Sequence, residues 1–72
     1  MITKLENVSI YSRFTLQQKT RGKFTSSSGE YSREFDTNML FTVYKHNGKS
    51  VTCRTNTSGI SYRFPKDTWV SL

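Results

Sequence analysis

The stretch "MLFTVYKHNGKSVTCRT", residues 39–55, constrains the fold of this chain more than any other. Asn47-Gly48 stands between two runs rich in β-branched and aromatic residues, the short-range signature of a β-hairpin. Two registers compete. A two-residue turn at Asn47-Gly48 pairs Tyr44 with Val51 and Phe41 with Arg54. A type I turn through His46-Asn47, with Gly48 as a left-handed bulge residue, pairs Val43 with Val51 and Phe41 with Cys53. A slip of one residue exchanges the two faces of a strand, so the apolar pattern selects the second register. It puts Met39, Phe41, Val43, Val51 and Cys53 on one face. Leu40, Thr42, Tyr44, Ser50, Thr52 and Arg54 line the other.

The remaining segments speak for the same class. A strand is expected from Asn7 to Gln17, where Val8, Ile10, Phe14 and Leu16 share the buried parity and Tyr11, Arg13 and Thr15 the wet one. Ser12 interrupts the buried face and marks a bend or bulge. Arg21-Gly22 reads as a turn before a short strand at Phe24, and "TSSSGE" as a flexible link. "YSREFDT" is a strand of mixed pattern ending in a turn at Asp36-Thr37-Asn38. "NTSG", residues 56–59, is a turn. Ile60, Tyr62 and Phe64 then alternate inward. Pro65-Lys66-Asp67 ends that strand, and "TWVSL" closes the chain, with Trp69 expected to plug one end of the core. The chain has no alanine and only four leucines, but five phenylalanines and four tyrosines. That balance disfavours helix and favours a pleated, half-buried surface.

The expectation is one all-β domain over residues 1–72, a small barrel or rolled antiparallel sheet of about five or six short strands, SH3-like or OB-like. The ending "RFPKDTWVSL" resembles the last part of an SH3-like barrel, in which a proline-led turn precedes a short final strand. The acidic, tyrosine-rich loop of a peptide-binding SH3 domain is absent, so the resemblance does not imply proline-rich ligands.

"IYSRF", "EYSREF" and "SYRF" each set a tyrosine beside an arginine and a phenylalanine. They are not copies of one unit. Tyr11 and Arg13 point out while Phe14 points in. Tyr31, Arg33 and Phe35 share one side. Tyr62 and Phe64 point in while Arg63 points out. Their unequal separations also exclude a repeat.

Charge narrows the partner. The chain carries a formal net charge of +6, which favours nucleic acid, an anionic membrane or an acidic protein. Glu30, Glu34 and Asp36 concentrate the acids in one segment, leaving the remainder more basic. The candidate nucleic-acid-binding residues are Tyr11, Arg13, Lys19, Arg21, Lys23, Tyr44, Arg54 and Arg63. A solvent-facing tyrosine beside a cation offers a base stack next to a phosphate contact. "KTRGK", read as a loop, offers three cations beside a glycine. The expected function is non-catalytic binding of single-stranded or structured RNA or DNA. The alternative is a protein-interaction module that docks on an acidic protein. In composition the chain is similar to phage accessory proteins that inhibit or redirect host proteins. A homodimer through an exposed sheet edge fits either function. Membrane binding ranks last, since no basic amphipathic helix or lipidation signal is present.

Catalytic and cofactor chemistry finds no support in the residues. Gly48-Lys49-Ser50 lacks the earlier P-loop glycine, because position 43 is valine. His46 and Cys53 lie roughly 13–16 Å apart in an extended hairpin, too far for a nucleophile and its base. One histidine, one cysteine and scattered carboxylates do not make a zinc site. The single cysteine excludes an internal disulfide and fits a reducing compartment. "MITKLENVSI" has no uninterrupted apolar run, so no signal peptide is expected and cytoplasmic placement follows. The triplets at Asn7 and Asn56 are then chance matches to a glycosylation acceptor.

Overall fold

The computed structural model describes residues 1–57 and 59–72. The chain is all-β. Among the described residues the strands are β1 (Ile2–Lys4), β2 (Arg13–Leu16), β3 (Thr20–Ser26), β4 (Gly29–Phe35), β5 (Leu40–His46), β6 (Ser50–Thr55), β7 (Ser61–Pro65) and β8 (Trp69–Ser71), with one 3₁₀ turn at Leu5–Asn7. They form a single antiparallel sheet in the order β1-β8-β2-β5-β6-β7-β3-β4. The sheet is not closed. Its edges are β1 and β4.

Alternation along the strands builds the core. Phe14 and Leu16 of β2, Phe41 and Val43 of β5, Val51 and Cys53 of β6, Tyr62 and Phe64 of β7 and Val70 of β8 all turn to one side and are buried. The sheet rolls over this side. Phe35 of the edge strand β4 meets Phe41 of β5 edge to face at 5.1 Å and Tyr62 at 4.6 Å, although β4 and β5 are not neighbours in the sheet. Aromatic pairs in these offset geometries add about 0.5–1.5 kcal/mol beyond their burial. In a chain this short, such pairs are a large part of what holds the roll.

The hairpin forms with the expected faces but in neither expected register. Asn47 N–H donates to Ser50 O at 2.8 Å, so the turn closes over Gly48-Lys49. Gly48, at the first central position, has φ +90°, as a two-residue type II′ turn requires. His46 pairs with Val51 and Lys45 with Thr52. Continued without interruption, this register would set Val43 against Arg54 and turn it to the wet side. Instead the register shifts at Tyr44, and Val43 pairs with Cys53 and Phe41 with Thr55. The β-bulge absorbs one residue and returns the apolar residues to the core.

Four other expectations are corrected. The Asn7–Gln17 strand breaks: Ser9 to Ser12 form a turn closed by Ser12 N–H to Ser9 O at 3.1 Å, with Tyr11 at φ +70°. This turn throws Ile10 outward, 48% exposed. Arg21-Gly22 is not a turn but the middle of β3. Gly22 is needed for close approach: a Cβ there would lie 3.0 Å from Phe64 Cε1 and Cζ and 3.2 Å from Phe35 Cε2. Ile60 precedes β7 and is exposed rather than inward. Trp69 faces outward, 50% exposed, with the Lys4 ammonium 5.5 Å from its ring, while Val70 fills the core position. The turn expected at residues 56–59 includes Ser58, outside the described residues.

The strand residues of the three Tyr-Arg-Phe clusters face as their parity predicts, while Tyr11 is exposed from a turn. Tyr11 and Arg13 are exposed over a buried Phe14. Arg33 lies over the ring of Phe35, and Tyr62 and Phe64 are buried beneath a half-exposed Arg63.

Candidate nucleic-acid interface

Strand register lines up the outward-facing side chains in rows across the sheet. Arg13 of β2 lies opposite Thr42 of β5, Thr42 opposite Arg54 of β6, and Arg54 opposite Ser61 of β7. In the next row Lys45 lies opposite Thr52, Thr52 opposite Arg63 of β7, Arg63 opposite Lys23 of β3, and Lys23 opposite Ser32 of β4. Adjacent strands are about 4.8 Å apart. The two rows therefore put Arg13, Arg54, Arg63 and Lys23 on one continuous solvent face, with Arg21 two residues along β3 from Lys23.

Two tyrosines stand at one end of this face. Tyr11 and Tyr44 meet edge to face, ring centroids 5.7 Å apart at 89°. The Arg54 guanidinium lies 4.7 Å from the Tyr44 ring, and its Nε–H donates to Ser61 Oγ at 3.0 Å. Backbone irregularities aim both rings. Tyr44 occupies the β5 bulge. Tyr11 holds a left-handed conformation that side chains rarely adopt, and its N–H donates to Val43 O at 2.7 Å. Tyr11 remains 72% exposed, so neither irregularity serves to bury it.

At the other end, Arg21, Lys23, Lys49 and Arg63 line a groove of about 300 Å³ together with Ser50 and Pro65. The backbone of β7 at Phe64 runs along it, while the Phe64 ring is turned to the core and packs against Gly22. Arg21 and Lys23 of "KTRGK" thus stand on a strand rather than in a loop. Lys19 lies outside the sheet, on the exposed link between β2 and β3, and joins neither row. The acidic segment is not remote from the cations. On β4, Glu34 lies opposite Arg21, and the Glu30 carboxylate accepts from Arg63 Nη2 at 2.5 Å.

Lys45, Lys49 and Glu30 belong to the surface although sequence reasoning did not single them out. Lys49 escaped because the turn selected from the sequence, through His46-Asn47, lies two residues before the Gly48-Lys49 turn that forms. Lys45 follows the bulge, and Glu30 reaches Arg63 only because β3 lies between β4 and β7.

The groups considered for catalysis are held by structural bonds. His46 Nε2–H donates to Val8 O at 2.8 Å, fastening the segment after the 3₁₀ turn to the hairpin. Cys53 is buried opposite Val43, its Sγ 3.7 Å from Val51 O, and burial pushes its thiol up to about 12. Among the described residues no three metal-ligating side chains come together, and no helix is long and apolar enough to cross a membrane. No protein-family model, no curated protein and no solved structure matches this chain.

Proposed function

We propose that this protein binds nucleic acid without catalysis, through the outer face of its sheet, and that the target is a single strand or a structured RNA. One observation carries the reading: two exposed tyrosines are aimed at each other by a left-handed residue and a bulge, at the end of a registered field of arginines and lysines. The left-handed backbone at Tyr11 leaves its own side chain exposed, and strain of that kind points to use of the side chain it displays. An exposed aromatic plane with an arginine against it suits stacking on a base, which any base can satisfy. The cation rows suit a flexible backbone laid across the strands. Among the described residues no helix is available to enter a major groove, which disfavours duplex DNA read by a recognition helix.

Titration of labelled single-stranded oligonucleotides at about 0.05 and 0.2 M salt tests the reading. Binding that weakens steeply with salt is expected. No binding at the lower salt rejects it.

The open sheet favours a second reading, a protein-interaction module of the phage accessory type. β4 is a seven-residue edge whose outer side is unpaired among the described residues, and Trp69 is exposed beside Ile2 and Lys4 at the other edge. Strand addition could use such an edge. Glu30, Arg33 and Glu34 work against it, because charges on an edge strand discourage pairing. A stoichiometric protein captured from lysate after nuclease treatment would favour this second function over the first.

A further inference from the structure

We propose that the groove between β3, β7 and the β5–β6 turn seats one phosphate group, and that the Glu30 carboxylate occupies its arginine when the phosphate is absent. The proposal rests on the nucleic-acid reading for the carrier of that phosphate.

The cation arrangement is costly without an anion. Lys23 and Arg63 are direct cross-strand partners. Like charges directly opposite one another destabilise a sheet. Arg21 extends the same face, and Lys49 closes over it from the hairpin turn. The turn is fixed in place, since Gly48 supplies its positive φ and Lys66 N–H donates to Lys49 O at 3.1 Å. Among the described residues no carboxylate lines the groove itself. The volume, about 300 Å³, is at the small end of ligand sites and admits a phosphate with its attached sugar, not a duplex.

Glu30 supplies the offset in the free protein. Arg63 Nη2 donates to Glu30 Oε1 at 2.5 Å and to Thr25 Oγ1 at 3.2 Å. A carboxylate and a phosphate present alike oxygen acceptors to a guanidinium. Glu30 is well exposed, and exposed pairs of this kind are weak. A phosphate reaching Arg63, Lys49 and Lys23 together therefore displaces it.

The test is amide NMR of the full chain in chloride buffer, titrated with inorganic phosphate and separately with a single-stranded oligonucleotide, for wild type, Lys49→Gln, Glu30→Gln and the control Lys4→Gln. Lys49 and Glu30 are exposed, so neither change threatens folding. Expected are shifts at Lys23, Ser50 and Arg63 with both ligands. Lys49→Gln should weaken the oligonucleotide about three- to tenfold and lower its salt slope by about 1. Glu30→Gln should tighten both ligands about two- to fivefold. Equal effects of Lys49→Gln and Lys4→Gln, or no tightening by Glu30→Gln, overturn the seat. Oligonucleotide shifts confined to Tyr11, Tyr44 and Arg54 overturn the seat and leave nucleic-acid binding standing. Groove shifts with phosphate but no oligonucleotide binding uphold the seat and reject nucleic acid as the carrier.

Discussion

Tyr11 and Tyr44 stand edge to face with ring centroids 5.7 Å apart, each presented by a local break in strand geometry. A left-handed non-glycine residue costs about 1–2 kcal/mol, and the contact with Tyr44 returns about 0.5–1.5 kcal/mol. The two nearly cancel, so the fold gains little from having tyrosine at this position.

Tyr11→Gly should therefore leave stability within about 1 kcal/mol of wild type, because glycine adopts positive φ freely. Binding should suffer, since a stacked aromatic contributes about 1–3 kcal/mol per base. Urea denaturation and oligonucleotide titration of the same variant check both halves. A binding loss no larger than that of Tyr31→Ser, on the opposite face of the sheet, would count against the tyrosine pair.

Lys23 and Arg63 predict a similar opposition between stability and binding. Their direct apposition across β3 and β7 is only partly offset by Glu30. Lys23→Gln removes the repulsion, so stability should rise by about 0.2–1 kcal/mol at low salt, and the gain should shrink at high salt as screening grows. Oligonucleotide affinity should fall. Denaturation midpoints at low and high salt are the measurement, and a destabilised variant at low salt would mean that Lys23 holds the fold in some other way.

Gly22 tests the packing beneath the groove. An added methyl meets Phe64 at 3.0 Å and Phe35 at 3.2 Å, and both rings belong to the core. Gly22→Ala should cost about 1–3 kcal/mol as overpacking, a drop in Tm of about 4–8 °C for each kcal/mol. A melting temperature equal to wild type would show that the rings yield without cost.

Much of this architecture was legible in periodicity. Phe41, Val43, Val51 and Cys53 were assigned to the core from alternation alone, and they are buried. The register was not, because the pattern of apolar residues is satisfied by any arrangement that keeps their side, including a shifted turn compensated by a bulge at Tyr44. Ile10 and Ile60 show the converse. Both carry the parity of a buried face, but each lies outside a strand, where parity has no meaning. Trp69 is expected inward from its place in a short closing strand, but the β8 register gives the inward position to Val70. At the site, Arg13, Arg54 and Arg63 could be assigned to the wet face strand by strand. Their rows could not be assembled, since which strands are neighbours depends on long-range pairing that local sequence does not encode. The same gap hid Glu30 from Arg63, as β4 reaches β7 only across β3.

Cys53 makes the fold sensitive to alkaline pH. Burial raises its thiol from 9.0 to about 12. In the unfolded chain the thiol ionises above about 9, while the folded chain keeps its proton. The unfolded state then binds fewer protons, so stability is full below about 9 and falls as pH rises toward 12, by at most about 1.4 kcal/mol per pH unit. Tyrosines and lysines titrate in the same range, so the quantity to follow is the difference between wild type and Cys53→Ala. The variant should be less stable at neutral pH, having lost buried sulfur, and the gap should narrow as pH climbs. A thiol reagent should modify native Cys53 only at the rate of unfolding. A constant gap across the alkaline range, or fast labelling of the native protein, would show that the thiol is less enclosed than its place beneath Val43 implies.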